Sequence, residues 1–345
     1  MEHANERTTA APATEPPYYA GRPILFSGYV DDFEAAITAM EFSLDGGVSW
    51  TAYPTAEVDK RRGVNWTFVY TPPKPGRYVL QARPVSASNQ PSPLVTAFPF
   101  EVLPADGTFG PSHIRPVGGS FADARIFRSR ELTNVTPEEA SFLAQSLGVR
   151  TIYDLRTASE VAAHPEPFIL GTKTIALTPT EGARRKDSEK RLVAGVIEKY
   201  GEPEERMCAN YRRYVSEYPL VGQALRSMAA EGKPALIHCA NGKDRTGVLC
   251  ATLLRVAGAP MDEIMTDYLQ VNADHADLIA AEAERLSAGM TVHERVCLMS
   301  FLEARPAYLE AYFDEIDRLY GSFAAYTQNG LHLTAEAIEQ LKALV

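Results

Sequence analysis

Two hydrophobic textures divide the chain. Over residues 24–103 the apolar positions come in short runs, at 24–26, 39–44, 65–71, 78–84 and 95–102, the pattern of strands with a buried face. Turn residues separate them. Asp45-Gly46-Gly47 lies between Met40-Glu41-Phe42-Ser43-Leu44 and Val48-Ser49-Trp50, which predicts a hairpin with positive φ at the glycines, and Pro72-Pro73-Lys74-Pro75-Gly76 makes a second sharp stop. Strands at this spacing predict a β-sandwich of immunoglobulin or fibronectin type, although the Cys…Trp…Cys pattern of antibody domains is absent. Residues 1–18, rich in Ala, Thr, Glu and Pro and without apolar period, read as a disordered tail.

After Pro104 the pattern turns α/β. Residues 124–127 form a short strand candidate, Thr136-Pro137-Glu138-Glu139 opens a helix with a capping hydroxyl and an acidic first turn, and 149–155 and 234–238 read as buried strands. Residues 246–257 read as a buried helix stopped by Gly258, and from Pro260 onward the period is helical, punctuated by Pro306 and Gly330. The expected architecture is a smaller all-β sandwich over 19–104, then an α/β domain over 105–345 with a central sheet flanked by helices. Composition shifts at the same place: 13 of the 24 prolines and both tryptophans precede residue 105, and all four cysteines follow it.

The length, 345 residues, fits two domains at roughly 150 residues each. A formal net charge of −10 argues against a nucleic-acid partner, because neutralising phosphates needs a basic face; any anion site must be local. Cys208, Cys239, Cys250 and Cys297 have neither disulfide-framework nor metal-finger spacing. No run approaches the roughly 20 apolar residues of a membrane helix, and the start has neither the basic nor the apolar part of a secretory leader, so a cytoplasmic protein is expected.

One segment concentrates chemistry: His238-Cys239-Ala240-Asn241-Gly242-Lys243-Asp244-Arg245-Thr246-Gly247, between an apolar strand and a helix. A strand-to-helix loop of this length can aim successive backbone N–H groups and the helix N-terminus at one point, an anion cradle. Gly242 and Gly247 permit the curvature. In that field Cys239 is expected as a nucleophilic thiolate, Arg245 can hold two phosphate oxygens with its planar fork, and Thr246 can donate its hydroxyl to the thiolate. Lys243 adds a cation that would favour multiply phosphorylated ligands, and His238 is expected to support the cradle by hydrogen bonds. The alternative, an ordinary buried cysteine beside a turn, leaves the rest of the string without a purpose.

The string resembles the HCxxGKDRTG signature of the bacterial atypical cysteine-dependent tyrosine and phosphoinositide phosphatases. The likeness extends to His113-Ile114-Arg115-Pro116-Val117-Gly118-Gly119, Ile126-Phe127-Arg128-Ser129, Ile152-Tyr153-Asp154-Leu155-Arg156…Glu160, Asp267-Tyr268-Leu269…Asn272 and Tyr320-Gly321-Ser322, so that it covers about residues 111–345. His113 and Pro116 stand where the family usually has Asn and Asp. The resemblance implies a tyrosine-phosphatase-like fold and hydrolysis of phosphotyrosine and phosphoinositides through a phosphocysteine; His164, His275, His293 and His332 are scattered without metal-ligand spacing, so no metal or cofactor is expected. Trp50 and Trp66 do not precede Pro-Asp, so the familiar Trp-Pro-Asp acid loop is missing, and the resemblance assigns the acid/base role to Asp244, with Asp154 as second candidate. The alternatives are a salt bridge from Asp154 to Arg156 or a helix cap by Asp154, and an ion pair between Asp244 and Arg245.

Residues 181–213 carry dense charge and read either as a solvated face or as a mobile lid. The other three cysteines read as core thiols, Cys208 or Cys250 being able to form a protective disulfide with Cys239 under oxidation. Expected partners are phosphorylated proteins, phospholipids or small phosphoesters, without stable membrane insertion, and a second copy of the chain through the sandwich. Three other functions stay open: an inositol-phosphate or nucleotide phosphomonoesterase using the same loop, a non-catalytic phosphate-recognising module, and a rhodanese-type sulfurtransferase, which would not require Gly-Lys-Asp-Arg-Thr-Gly.

Overall fold

The computed structural model describes residues 7–12, 18–31, 36–55, 63–104, 108–119, 121, 123–178 and 203–345. The chain divides into two compact units, Met1–Asp106 and Gly107–Val345. Among the described residues no helix is long and apolar enough to cross a membrane.

The described elements of the first unit are strands: β1 (Arg7–Pro12), β2 (Tyr18–Tyr19), β3 (Ile24–Asp31), β4 (Ile37–Ser43), β5 (Thr51–Pro54), β6 (Val64–Tyr70), β7 (Gly76–Ser86) and β8 (Thr96–Leu103). They form one sheet in the order β1-β3-β6 and another in the order β2-β8-β7-β4-β5. Alternate residues of both sheets meet in one core, with Phe26, Trp66 and Phe68 from the first and Met40, Phe42, Leu80 and Phe100 from the second. The Asp45-Gly46-Gly47 turn joins β4 to β5 with φ of 76° and 88° at its glycines. The tail expected over 1–18 is corrected at 7–12, where β1 pairs antiparallel with β3.

In the second unit, β9 (Arg115–Pro116), β10 (Ile126–Ser129), β11 (Thr151–Asp154), β12 (Lys173–Ala176) and β13 (Ala235–His238) form a sheet ordered β12-β11-β13-β10-β9. The first four in that order run parallel, and β9 is antiparallel to β10. β10, β11 and β13 are buried along their whole length, as expected of strands covered on both faces. Helices α1 (Pro137–Ser141), α2 (Ala158–Ala163), α3 (Pro203–Ser216), α4 (Leu220–Glu231), α5 (Asp244–Ala257), α6 (Met261–Asp274), α7 (Ala276–Leu286), α8 (Val292–Leu302), α9 (Pro306–Tyr320), α10 (Phe323–Asn329) and α11 (Ala335–Lys342), with a π-helical turn at Phe142–Ser146 after α1, complete the described part. Thr136 caps α1 with its hydroxyl as expected, and the Glu139 side chain in return accepts a bond from the Thr136 amide.

Register puts the site in place. Ser129 and Asp154 both pair with His238, so the carboxyl ends of three parallel strands stop in one row, the position where α/β sheets collect ligands. The loop after His238 leaves from the middle of that row.

Candidate active site

The Cys239–Lys243 loop turns from β13 into α5, and the geometry explains its composition. Gly242 has φ of +62°, and a Cβ there would lie 2.4 Å from the Ser129 carbonyl oxygen, so glycine is required twice over. Gly247 serves differently from the curvature expected of it: it lies inside α5, where a Cβ would meet the Tyr268 ring at 3.0 Å, so it lets α6 approach. The loop also rests on the β10 exit, with Glu131 N–H donating to the Ala240 carbonyl at 3.2 Å. Asn241 is exposed and Ala240 half-buried.

Cys239 is buried at the loop's start. Arg245, in the first turn of α5, donates from Nη1 to the Leu155 carbonyl (2.9 Å) and from Nη1 and Nη2 to the two oxygens of Glu160 (2.6 and 2.8 Å). These bonds leave Nε–H and one Nη2 proton without a partner among the described residues, which is the second bidentate edge of the guanidinium. Burial pulls the Glu160 carboxyl upward, but the Arg245 bonds and charge outweigh it and hold it at about 2. On Arg245, burial acts against the charge, while Cys239 and Glu160 favour it and the net direction is up. Glu160 is itself pinned by the capping box of α2 with Thr157.

Asp244, the first residue of α5, accepts a 2.8 Å bond from the Tyr211 hydroxyl, which in turn lies 2.8 Å from the Tyr268 hydroxyl. Burial first, and then the Asp244 charge, keeps both phenols protonated and therefore able to donate. The ion pair from Asp244 to Arg245 weighed from the sequence is not present; the nearby cation is Lys243, at 3.6 Å.

Lys243 corrects an expectation. Its side chain is buried, and its ammonium, 3.6 Å from Asp244, donates to the carbonyls of Phe301 (2.5 Å) and Glu303 (3.1 Å) at the end of α8.

Asp154 is the other correction. Its two oxygens accept from Arg156 Nε (3.0 and 3.2 Å) and Nη2 (2.9 Å), with the Arg156 amide adding a further bond. Burial raises that carboxyl, yet the Arg156 bonds and the neighbouring His238 together hold it below the usual range, the wrong direction for an acid that must carry a proton. His238 is fully buried, its Nε2 lying 3.5 Å from Glu166 and 3.9 Å from Asp154. Asp154, Glu166 and His238 offer donor atoms within 4.8 Å of one another, and Arg156 Nη2 already supplies positive charge to both carboxylates, at 2.9 and 3.2 Å.

A sequence profile of the tyrosine phosphatase family matches residues 115–345, two-thirds of the chain and the whole of the loop just described. The chain belongs to that family. It is 28% identical over 235 residues to the triple specificity protein phosphatase PtpB of Mycobacterium tuberculosis, covering 59% of this chain and 85% of that one. A tyrosine-protein phosphatase of Nostoc commune is 32% identical over 153 residues, 43% of this chain and 48% of the relative. The catalytic core of the PP-IP phosphatase SIW14 from S. cerevisiae overlays with a TM-score of 0.28 at 20% identity, over 48% of this chain and 78% of that one.

Around its loop the phosphatase buries groups whose purpose the sequence did not disclose. Arg128 donates to the Gly242 carbonyl (2.8 Å) and to Asp267 (2.9 Å), and Arg115 donates to the same carboxylate (2.6 Å), so a buried Arg–Asp–Arg chain grips the loop from below. Both arginines and Asp267 had been named in family-like strings, and only the fold brings them together. Tyr214 and Tyr218 lie close enough for Cys239 and Arg245 to influence their hydroxyls, which burial chiefly pushes up. The buried Tyr218 hydroxyl and Thr246 Oγ1 have no partner among the described residues. Of the charged segment 181–213, residues 181–202 lie outside the described residues, and 203–213 belong to α3, which buries Met207, Cys208 and Tyr211. All four cysteines are buried thiols, and Cys208 donates to the Ala307 carbonyl at 3.5 Å.

Proposed function

We propose that this phosphatase hydrolyses phosphomonoesters through a phosphocysteine on Cys239. The observation that supports it most is the divided guanidinium: one edge of Arg245 is fixed by Glu160 and Leu155, and the other is left for two phosphoryl oxygens beside the buried thiol. The thiolate attacks phosphorus, the P–O bond to the leaving group breaks, and Asp244 gives that oxygen its proton. Water then attacks the phosphocysteine while Asp244 takes a proton from it, releasing inorganic phosphate and the thiolate. Thr246, with its unpaired buried hydroxyl, donates to the sulfur as it leaves, and Tyr211 orients the Asp244 carboxyl. Loop amides of Ala240, Asn241 and Gly242 and the start of α5 hold the phosphate.

For substrates we infer phosphotyrosine and phosphoinositides. The triple specificity in the name of the mycobacterial relative supports a broad range, while Lys243, its ammonium bonded to two carbonyls, lends the phosphoinositide part no support. Inositol phosphates and nucleotides are the competing esters. We assign the first unit to the immunoglobulin- or fibronectin-like sandwiches, as a packing or dimerising module, and the protein to a reducing compartment.

The test is hydrolysis of an aryl phosphate and a phosphoinositide panel in EDTA. Wild type should turn over, Cys239→Ser should lose all turnover, and Asp244→Asn should lose roughly 100- to 10,000-fold, most for poor leaving groups. Full activity in Cys239→Ser, or phosphate binding without turnover in wild type, overturns the proposal, the latter in favour of a binding module.

A further inference from the structure

We propose that Lys243 is a positioning residue, the tie that couples the catalytic loop to the joint between α8 and α9. This rests on the phosphatase reading above and changes the role of one residue within it.

Three elements grip the joint. Lys243 Nζ donates to the Phe301 and Glu303 carbonyls; Asn272 of α6 clasps Ala304 from both sides, its Nδ2 donating to the Ala304 carbonyl and its Oδ1 accepting from the Ala304 amide, each at 2.8 Å; and Glu204 of α3 pairs with Arg305 at 2.9 Å. Phe301 and Glu303 bracket the last residue of α8, where carbonyls lack helical partners and the helix dipole is negative, so an ammonium fits there better than any neutral donor. Beyond the joint, the α7–α8 hairpin stands on a small core of its own, Met290, Cys297 and Leu298 with Leu286, Phe301 and Leu302 beside it. Phe301 also packs on the main core of the unit, so the residue that receives the lysine is the one the two cores share.

The chain position makes the tie consequential. Lys243 is the residue immediately before α5, so its side chain fixes the backbone from which Asp244 and Arg245 project. An ammonium held by two carbonyls, on a side chain only 4% exposed, is not free to meet a phosphate. Loss of the tie therefore disturbs proton transfer and phosphoryl binding for every substrate alike, and loosens the joint at the same time.

The experiment compares Lys243→Met with Asn272→Ala, which loosens the same joint without touching the loop. Turnover of an aryl phosphate and a phosphoinositide is measured alongside hydrogen exchange over residues 299–308. The tie predicts that Lys243→Met lowers kcat about 10-fold for both substrates with their ratio unchanged within about 2-fold, that exchange over 299–308 accelerates at least 10-fold, and that Asn272→Ala shows the same two signs at smaller size. A selective loss of the phosphoinositide, with exchange unchanged, makes Lys243 a substrate cation and overturns the proposal; so does unchanged exchange in both variants. If Lys243→Met does not fold, Asn272→Ala decides by whether turnover and exchange move together. Should wild type hydrolyse no ester, the phosphatase reading fails, and the exchange arm still tests the tie by itself.

Discussion

The two units bury different things. Among the described residues, the core of the first is apolar apart from Ser43, and its rings pack on one another, Phe42 stacking on Phe68 at 4.4 Å between centroids. The second buries Arg115, Arg128, Arg156, Asp154, Glu139, Lys243 and His238. Buried ion pairs are poor devices for stability, because desolvation offsets most of their attraction. Their placement explains them better: Arg128 holds the Gly242 carbonyl, Arg156 holds the strand end beside His238, and Lys243 holds the joint. An apolar core specifies that a sheet packs; a directional polar core specifies where one loop stands.

The largest expected effect separates these roles. Asp267→Asn leaves Arg115 and Arg128 buried with one charge fewer between them and should cost about 3–5 kcal/mol. Phe26→Ala, in the apolar core, should cost a similar amount, about 3–5 kcal/mol. Urea midpoints check both. Only Asp267→Asn should also slow turnover per folded molecule, since Arg128 then loses the partner that aims it at the loop. Equal slowing by Phe26→Ala, in buffer where that variant remains folded, would erase the distinction.

A smaller effect tests the catalytic edge of the ionic core. Glu160→Gln keeps the shape and removes the charge that aligns Arg245. Hydrogen bonds to charged groups are worth about 1.5–3 kcal/mol, so kcat/KM should fall roughly 10- to 100-fold. The sign with pH is fixed by the depressed carboxyl: its stabilisation is complete above the unfolded value near 4.5 and is lost as pH falls through about 2. The stability gap between wild type and Glu160→Gln should therefore close from pH 4.5 downward, as followed by denaturant midpoints.

What the sequence disclosed follows the same division. Local chemistry was legible: the strand–loop–helix around Cys239, the Thr136 cap and the Asp45-Gly46-Gly47 hairpin each depend on neighbours a few residues away. Side-chain direction was not. Lys243 stands in a phosphate-loop motif, but carbonyls 58 and 60 residues along the chain decide where its ammonium goes. Asp154 sat beside Arg156 in the string, and only burial of both turned a candidate acid into a paired carboxylate. Strand β1 has no apolar alternation, and its partner β3 sets its conformation from outside. Glu166, Tyr211 and Tyr218 reach the site from segments that carry no motif of their own.

The smallest effect concerns acid. His275, between α6 and α7, is buried against the His113 ring, with centroids 4.8 Å apart. Burial first, then His113 and the guanidiniums of Arg130, Arg128 and Arg115, hold its imidazole down at about 3. Unfolded, it takes up a proton near pH 6.5. Between those two values the unfolded chain binds more protons, so the stability of the second unit should fall as pH drops from 6.5 toward 3, by about 1.4 kcal/mol per pH unit from this group. The described core of the first unit holds no buried histidine and should lack that slope. His275→Gln should flatten the curve of the second unit over pH 6.5 to 4 while leaving that of the first as it was. Parallel curves for wild type and variant would mean that the imidazole is charged or hydrated in the folded protein, and that the polar core of the second unit is confined to the ion pairs around the loop.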